Sequence, residues 1–267
     1  MSVGHQIMPA GVTEAWLRRL APVSRPWVRL ICFPHAGGTA AFFRSWRDHL
    51  LPDVELYAVQ YPGRMDRITE ACVDDMDEMA GSVAGALEPL LDRPVALFGH
   101  SLGAVVAYEV ARRVCARTPH ALARLFASGR TAPSRHQPTG RHLVSDDALW
   151  RDVERLGGTK PEVLADRELR RAFLPALRSD YRLSELYRPG PGPLLACPVT
   201  ALLGDRDSEV APSDAASWAT VTSAEFTIRI FPGGHFYLTS RLPEVVGEIM
   251  SSLAGSVPPA CRDWAGP

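Results

Sequence analysis

The chain has 267 residues, 46% hydrophobic and 22% charged, with a formal net charge of −1, a length that suits one large α/β domain or one domain with an insertion. So even a balance gives no support for nucleic-acid binding, which shows as a basic excess. The five cysteines (Cys32, Cys72, Cys115, Cys197 and Cys261) are odd in number, scattered and without a C-x-x-C pair, which suits reduced thiols in a cytoplasmic protein better than a disulfide framework or a zinc site.

Residues 1–11 carry no Lys or Arg and no apolar core, so they do not read as a secretory signal, and no apolar run approaches a membrane span. An amphipathic piece occupies 14–20. Trp27-Val28-Arg29-Leu30-Ile31-Cys32-Phe33 then reads as a strand ending at Pro34-His35-Ala36-Gly37-Gly38. Such a glycine loop is either a plain strand-to-helix turn or a place where a backbone N–H meets developing negative charge. A helix is expected over 42–50, a strand over 54–59 closed by Tyr61-Pro62-Gly63, and a helix over 76–91 from the spacing of Met76, Met79, Val83, Leu87 and Leu90.

Pro94-Val95-Ala96-Leu97-Phe98 is a short apolar run that reads as a buried strand. Gly99-His100-Ser101-Leu102-Gly103 follows, and then an alanine-rich helix. A serine at a strand-to-helix turn, with glycines two residues to either side, is a nucleophile elbow. Side chains at the glycine positions would collide with neighbouring backbone, and the helix N-terminus leaves N–H groups free beside the serine. A further strand over 121–128 ends in Gly129-Arg130-Thr131-Ala132-Pro133. Strands separated by helices imply a mainly parallel central sheet covered on both faces.

Over 135–193 the alternation stops. Ser145 can cap a helix carrying Leu149, Trp150, Val153 and Leu156 that halts at Gly157-Gly158, and Pro161 starts a short turn. Asp166 can cap a longer helix with Leu169, Phe173, Leu177 and Tyr181 in register, which Pro175 is expected to kink or split. The stretch closes at Pro189-Gly190-Pro191-Gly192-Pro193. A helical block of this kind between sheet strands reads as a lid inserted in a single domain of 1–267. The sheet resumes with a strand over 199–203 followed by Gly204-Asp205-Arg206-Asp207, a helix over 212–218, and an alternating strand over 225–231 followed by Pro232-Gly233-Gly234-His235-Phe236. A final helix covers 242–253, and residues 255–267, rich in proline and glycine, read as a frayed tail.

Ser101 needs a base to take its proton as it attacks, and imidazole titrates near neutral pH. His235, in a glycine-flanked loop after the last strand, is the leading candidate. His35 and His100 adjoin the other functional positions but are expected to point elsewhere. His5, His49, His120, His136 and His142 read as surface residues. The base in turn needs a carboxylate to fix its tautomer. Asp205 and Asp207 both follow a strand; Asp207 is favoured for reach, leaving Asp205 to cap the turn. The order Ser…Asp…His is that of the α/β-hydrolases, which take oxyanion N–H groups from the loop after an early strand and from the residue after the nucleophile. Here those are Ala36 and Leu102. No H-E-x-x-H or Cys/His cluster suggests a metal.

Phe33-Pro34-His35-Ala36-Gly37-Gly38, the 99–103 pentapeptide, Gly204-Asp205-Arg206-Asp207 and Gly233-Gly234-His235-Phe236 together resemble the type II thioesterases, stand-alone editing hydrolases of polyketide and nonribosomal peptide synthases. The likeness runs from 29 to about 253 and takes in Gln60-Tyr61-Pro62-Gly63-Arg64, Leu156-Gly157-Gly158-Thr159 and Leu174-Pro175-Ala176-Leu177-Arg178. It implies an α/β-hydrolase fold with a mobile helical lid bordering the acyl pocket. It also implies hydrolysis of stalled or aberrant acyl groups from the phosphopantetheine thiol of acyl or peptidyl carrier proteins. The family's triad maps to Ser101, Asp207 and His235, and its oxyanion N–H groups to Ala36 and Leu102. Ser208 stands where many relatives have proline, a departure that leaves the triad intact. The length leaves no room for a fused carrier module, so the substrate is expected to arrive in trans, on a cytoplasmic monomer that needs no cofactor and engages no membrane or nucleic acid. The same triad would also serve chain release by acyl transfer or ordinary carboxylester hydrolysis. A non-catalytic carrier-binding subunit is the reading from another class.

Overall fold

The computed structural model describes residues 10–159 and 161–256. Its strands are β1 (Leu17–Ala21), β2 (Val28–Phe33), β3 (Val54–Val59), β4 (Val95–His100), β5 (Leu122–Ser128), β6 (Val199–Gly204) and β7 (Phe226–Phe231). They form one sheet in the order β1-β3-β2-β4-β5-β6-β7, parallel throughout except for β1, which runs antiparallel to β3. The helices are α1 (Ala10–Trp16), α2 (Met76–Leu87), α3 (Leu102–Arg117), α4 (Asp146–Leu156), α5 (Pro161–Ala165), α6 (Arg167–Leu186), α7 (Pro212–Ala215), α8 (Tyr237–Ser240) and α9 (Leu242–Ser256). No helix among the described residues is long and apolar enough to cross a membrane.

The inner strands are apolar in consecutive positions because both sheet faces are covered, and the period of two sorts their side chains between two cores. Ile31, Phe33, Leu97, Leu125 and Ala127 pack with Met79 and Val83 of α2 and Val106 and Val110 of α3. Leu30, Cys32, Ala96, Phe98 and Phe126 pack on the other face with Phe43, Trp46 and α9's Val245, Val246 and Ile249. Each large side chain fully buried in this way contributes about 1.5–3 kcal/mol. Parallel register sets Phe33 beside Gly99, His100 beside Ser128 and Gly204 beside Phe231. The carboxyl ends of β2, β4, β5, β6 and β7 therefore meet along one rim, the edge at which open α/β sheets place their sites.

Caps set several helix ends: Ser145 and Asp166, as expected, accept from Ala148 N–H at 3.3 Å and from Glu168 and Leu169 N–H at 2.8 and 3.1 Å, and Asp75 also accepts, from Glu78 N–H at 2.9 Å. Gly157 ends α4 at φ +76°. Elsewhere the structure departs from the sequence-based expectations. The amphipathic piece near 14–20 divides into the end of α1 and the edge strand β1. The helix expected over 42–50 is a 3-10 helix, Ala40–His49, and α2 passes at Glu88 into another 3-10 turn. α6 runs through Pro175 unbroken. The proline is exposed, and Arg171, the residue whose carbonyl loses its partner, is exposed as well, so water can satisfy that oxygen while Leu174, Ala176 and Leu177 hold the helix by burial. Of the expected tail, Gly255 and Ser256 extend α9, and the remainder lies outside the described residues.

The helices over 135–193 carry a small third core of Leu149, Trp150, Leu174 and Leu177, against which Ala36 and Phe173 pack. The block therefore rests on the loop after β2.

Candidate active site

Ser101 sits between β4 and α3 with φ 54° and ψ −116°, a conformation that a side-chain-bearing residue holds only at a cost of about 1–3 kcal/mol. Its neighbours enforce the turn. A Cβ on Gly99 would lie 2.1 Å from the Gly103 carbonyl oxygen, and one on Gly103 would lie 2.1 Å from that of Phe33. The Ser101 N–H donates to Ser128 O at 2.8 Å, tying the elbow to the end of β5. Leu102 is the first residue of α3, so its N–H has no carbonyl four residues back within the helix.

His235 follows β7 in the Gly233-Gly234 loop and is buried. Its Nδ1 lies 3.1 and 3.0 Å from Asp207 Oδ1 and Oδ2. Asp207 follows β6; its carboxylate is fully buried and also accepts from Glu209 N–H at 2.8 Å. Facing that carboxylate, Nδ1 is the protonated nitrogen and Nε2 is left with the lone pair. Asp205 does separate work: it accepts from Gly233 N–H at 2.8 Å, which holds its carboxyl below the usual range and pins the loop that carries the histidine.

His35 and His100 are the other histidines at this rim. His35 stacks edge-on between Phe42 and Phe236, with ring centroids 4.8 and 4.7 Å away, and burial aided by the charges of His235 and Arg64 pushes it down to about 3. His100 Nδ1 lies 2.9 Å from Ser128 Oγ, which lies 2.7 Å from the Tyr237 hydroxyl. Burial holds this imidazole, too, well below its ordinary value. Both are neutral neighbours of His235, and the carboxylate belongs to His235.

Ser101, His235, Ala36 and Leu102 all line one cavity of about 450 Å³. Trp150, Val153, Phe173 and Leu177 of the helical block supply an apolar wall. A polar wall comes from Arg130, His136, Arg141, Glu185 and Glu209. Arg130 donates to Ser184 Oγ at 2.8 Å, and its burial lowers it to about 10. Burial opposes ionisation of Glu209, but hydrogen bonds from Arg141 and Arg155 hold it down to about 2. Sequence reasoning missed this wall. His136, expected at the surface, lines it, with burial and then Arg130 pushing it to about 4. His49 and His120 are exposed as expected, His142 is half-buried, and His5 lies outside the described residues. Among the described residues no group of three or more His, Cys, Asp or Glu is placed to hold a metal ion.

Comparison with known proteins places this chain in a family. A family model described as a thioesterase domain matches residues 28–253. Thioesterase PikA5 of Streptomyces venezuelae is 44% identical over 239 residues, covering 89% of this chain and 85% of that protein. The solved structure of BorB, the type II thioesterase of the borrelidin biosynthetic cluster, superposes with a TM-score of 0.84 at 43% identity, covering 90% of this chain and 98% of that one. RedJ, the thioesterase of the prodiginine pathway in Streptomyces coelicolor, gives 0.81 at 36% identity, covering 87% and 95%. With its α/β-hydrolase sheet and this span of similarity, the chain belongs to the thioesterase family, alongside the hydrolytic type II thioesterases of polyketide and nonribosomal peptide pathways.

Proposed function

We propose that the protein hydrolyses acyl thioesters carried on the phosphopantetheine arm of acyl or peptidyl carrier proteins, clearing stalled or aberrant groups from a synthase. The reading rests chiefly on the His235–Asp207 pair, at 3.0 Å, whose histidine lines the same cavity as a serine held in a strained elbow. Ser101 Oγ attacks the thioester carbonyl as His235 Nε2 takes its proton, and Asp207 stabilises the imidazolium that forms. The N–H groups of Ala36 and Leu102 receive the developing oxyanion. His235 then protonates the departing thiol. In the second half-reaction it deprotonates water, which attacks the acyl-serine and releases a carboxylic acid. Each step is proton transfer and acyl transfer among these residues, and no cofactor is required.

The helical block over 135–193 serves as a lid: its apolar residues line the same cavity as the serine, so an acyl chain entering beside Ser101 is taken out of water. The carrier protein brings its substrate in trans to a cytoplasmic monomer. Acyl-carrier protein or an acyl-N-acetylcysteamine incubated with wild type and Ser101→Ala tests the core of this reading. Thiol release should vanish in the variant, and equal release by both proteins would overturn it.

A further inference from the structure

The segment Gln60-Tyr61-Pro62-Gly63-Arg64 has no part in the triad, yet it grips the loop that carries Ala36. Ala40 N–H donates to Gln60 Oε1 at 3.1 Å, Tyr61 OH to Pro34 O at 3.4 Å, and Arg64 Nη1 to Gly38 O at 3.2 Å. Arg64 is buried and forms a two-pronged pair with Asp180 of α6, with Nη1 2.7 Å from Oδ2 and Nη2 2.8 Å from Oδ1. Asp180 is wholly buried, and its Oδ2 also accepts from Gly37 N–H at 2.7 Å.

That last contact falls on the pivot of the loop. Gly38 N–H donates to His35 O at 2.8 Å, and Gly37 has φ +74°, the arrangement of a type II turn whose central peptide joins Ala36 to Gly37. Such a peptide can flip, exchanging its N–H for its carbonyl on a given side. The Asp180 carboxylate accepts only from the N–H, so the anion selects one of the two orientations and repels the other. Leu177, one turn earlier on α6, closes the same loop from above: a Cβ on Gly37 would lie 3.2 Å from its Cδ1.

We propose that Asp180, paired with Arg64, is a positioning residue for the oxyanion loop, so that Ala36 takes up its catalytic geometry only when α6 is seated. The same helix lines the cavity through Leu177, Tyr181 and Ser184. Acyl-chain contacts with α6 and the preparation of the oxyanion N–H are thereby one event. The inference rests on the role proposed above for Ala36.

The test compares two double variants that leave no charge orphaned in the interior: Arg64→Met/Asp180→Asn, which keeps an acceptor for Gly37 N–H, and Arg64→Met/Asp180→Leu, which does not. Turnover of p-nitrophenyl acetate and of an acyl-N-acetylcysteamine is normalised to the serine labelled exhaustively by a fluorophosphonate. The leucine variant should show a kcat lower than the asparagine variant by roughly tenfold or more, with KM within about threefold, because a misplaced oxyanion donor is felt in the transition state. A boronic acid that mimics the tetrahedral intermediate should lose affinity in parallel, while affinity for the product acid holds. Equal normalised kcat in the two variants, or equal loss of boronate and product affinity, would overturn the proposal. Wild type that turns over the small ester but spares every thioester would instead sink the proposed substrate, and the comparison could still be read on the ester.

Discussion

His35 makes acid stability a quantitative probe of the rim. Its imidazole is held at about 3 in the folded chain against an ordinary 6.5, so below pH 6.5 the unfolded chain binds a proton that the folded chain refuses. The stability is complete above 6.5 and is lost progressively as pH falls toward 3. Linkage with these two values gives a loss of about 2 kcal/mol between about pH 8 and about pH 5 from this residue alone. His35→Phe removes the proton site while keeping a ring to meet Phe42 and Phe236 edge-on, and the Nδ1 it deletes has no hydrogen-bond partner among the described residues. Urea denaturation of both proteins at the two pH values checks this. Wild type should lose about 2 kcal/mol more than the variant on acidification. His100 and His136, also lowered, are present in both proteins and cancel in the difference, apart from the charge of His35 on His100, a lesser cause of that shift than burial. Glu209 titrates between 4.5 and about 2, below the range used. Identical pH dependence in the two proteins would refute the reasoning.

Two further outcomes follow from the site. Asp207→Asn should lower kcat by roughly 10⁴-fold by presenting the wrong partner to His235, whereas Asp205→Asn should leave ester turnover within about threefold; the reverse ranking would move the triad's acid to Asp205. Gly103→Ala places a Cβ 2.1 Å from Phe33 O and 2.7 Å from Pro34 O, forcing the start of α3 away from the oxyanion loop. We expect a loss of about 1–3 kcal/mol in a thermal melt and a fall in kcat of about 10²-fold or more in the ester assay; an unchanged kcat would refute the placement.

Most of the sheet was legible because its strands are short apolar runs between glycine or proline turns, and because parallel strands must alternate with helices. The candidate triad was legible for a related reason: Ser101, Asp207 and His235 each follow a strand, so topology gathers them whatever the loops do. β1 was not, because Leu17 and Leu20 stand three apart, a helical spacing, and only pairing with distant β3 makes the segment extended. The Asp180–Arg64 pair was hidden because its partners are 116 residues apart and each alone reads as a surface charge. His136 was misjudged because a loop histidine between Arg135 and Gln137 reads as a surface residue, and nothing in that run marks Arg130, six residues earlier, as its partner.

The span of these contacts has a consequence for how the chain matures. The elbow is assembled from neighbours in sequence, but the hydrogen bond from Gly37 to Asp180 closes across 143 residues, and the His235–Asp207 pair cannot form until the last strand has joined the sheet. Long closures carry the greater entropic cost and complete late. During synthesis the serine therefore emerges well before the base that would activate it and the helix that anchors its oxyanion loop. A partly made chain holds a nucleophile without a hydrolase, and reactivity arrives with the completed fold.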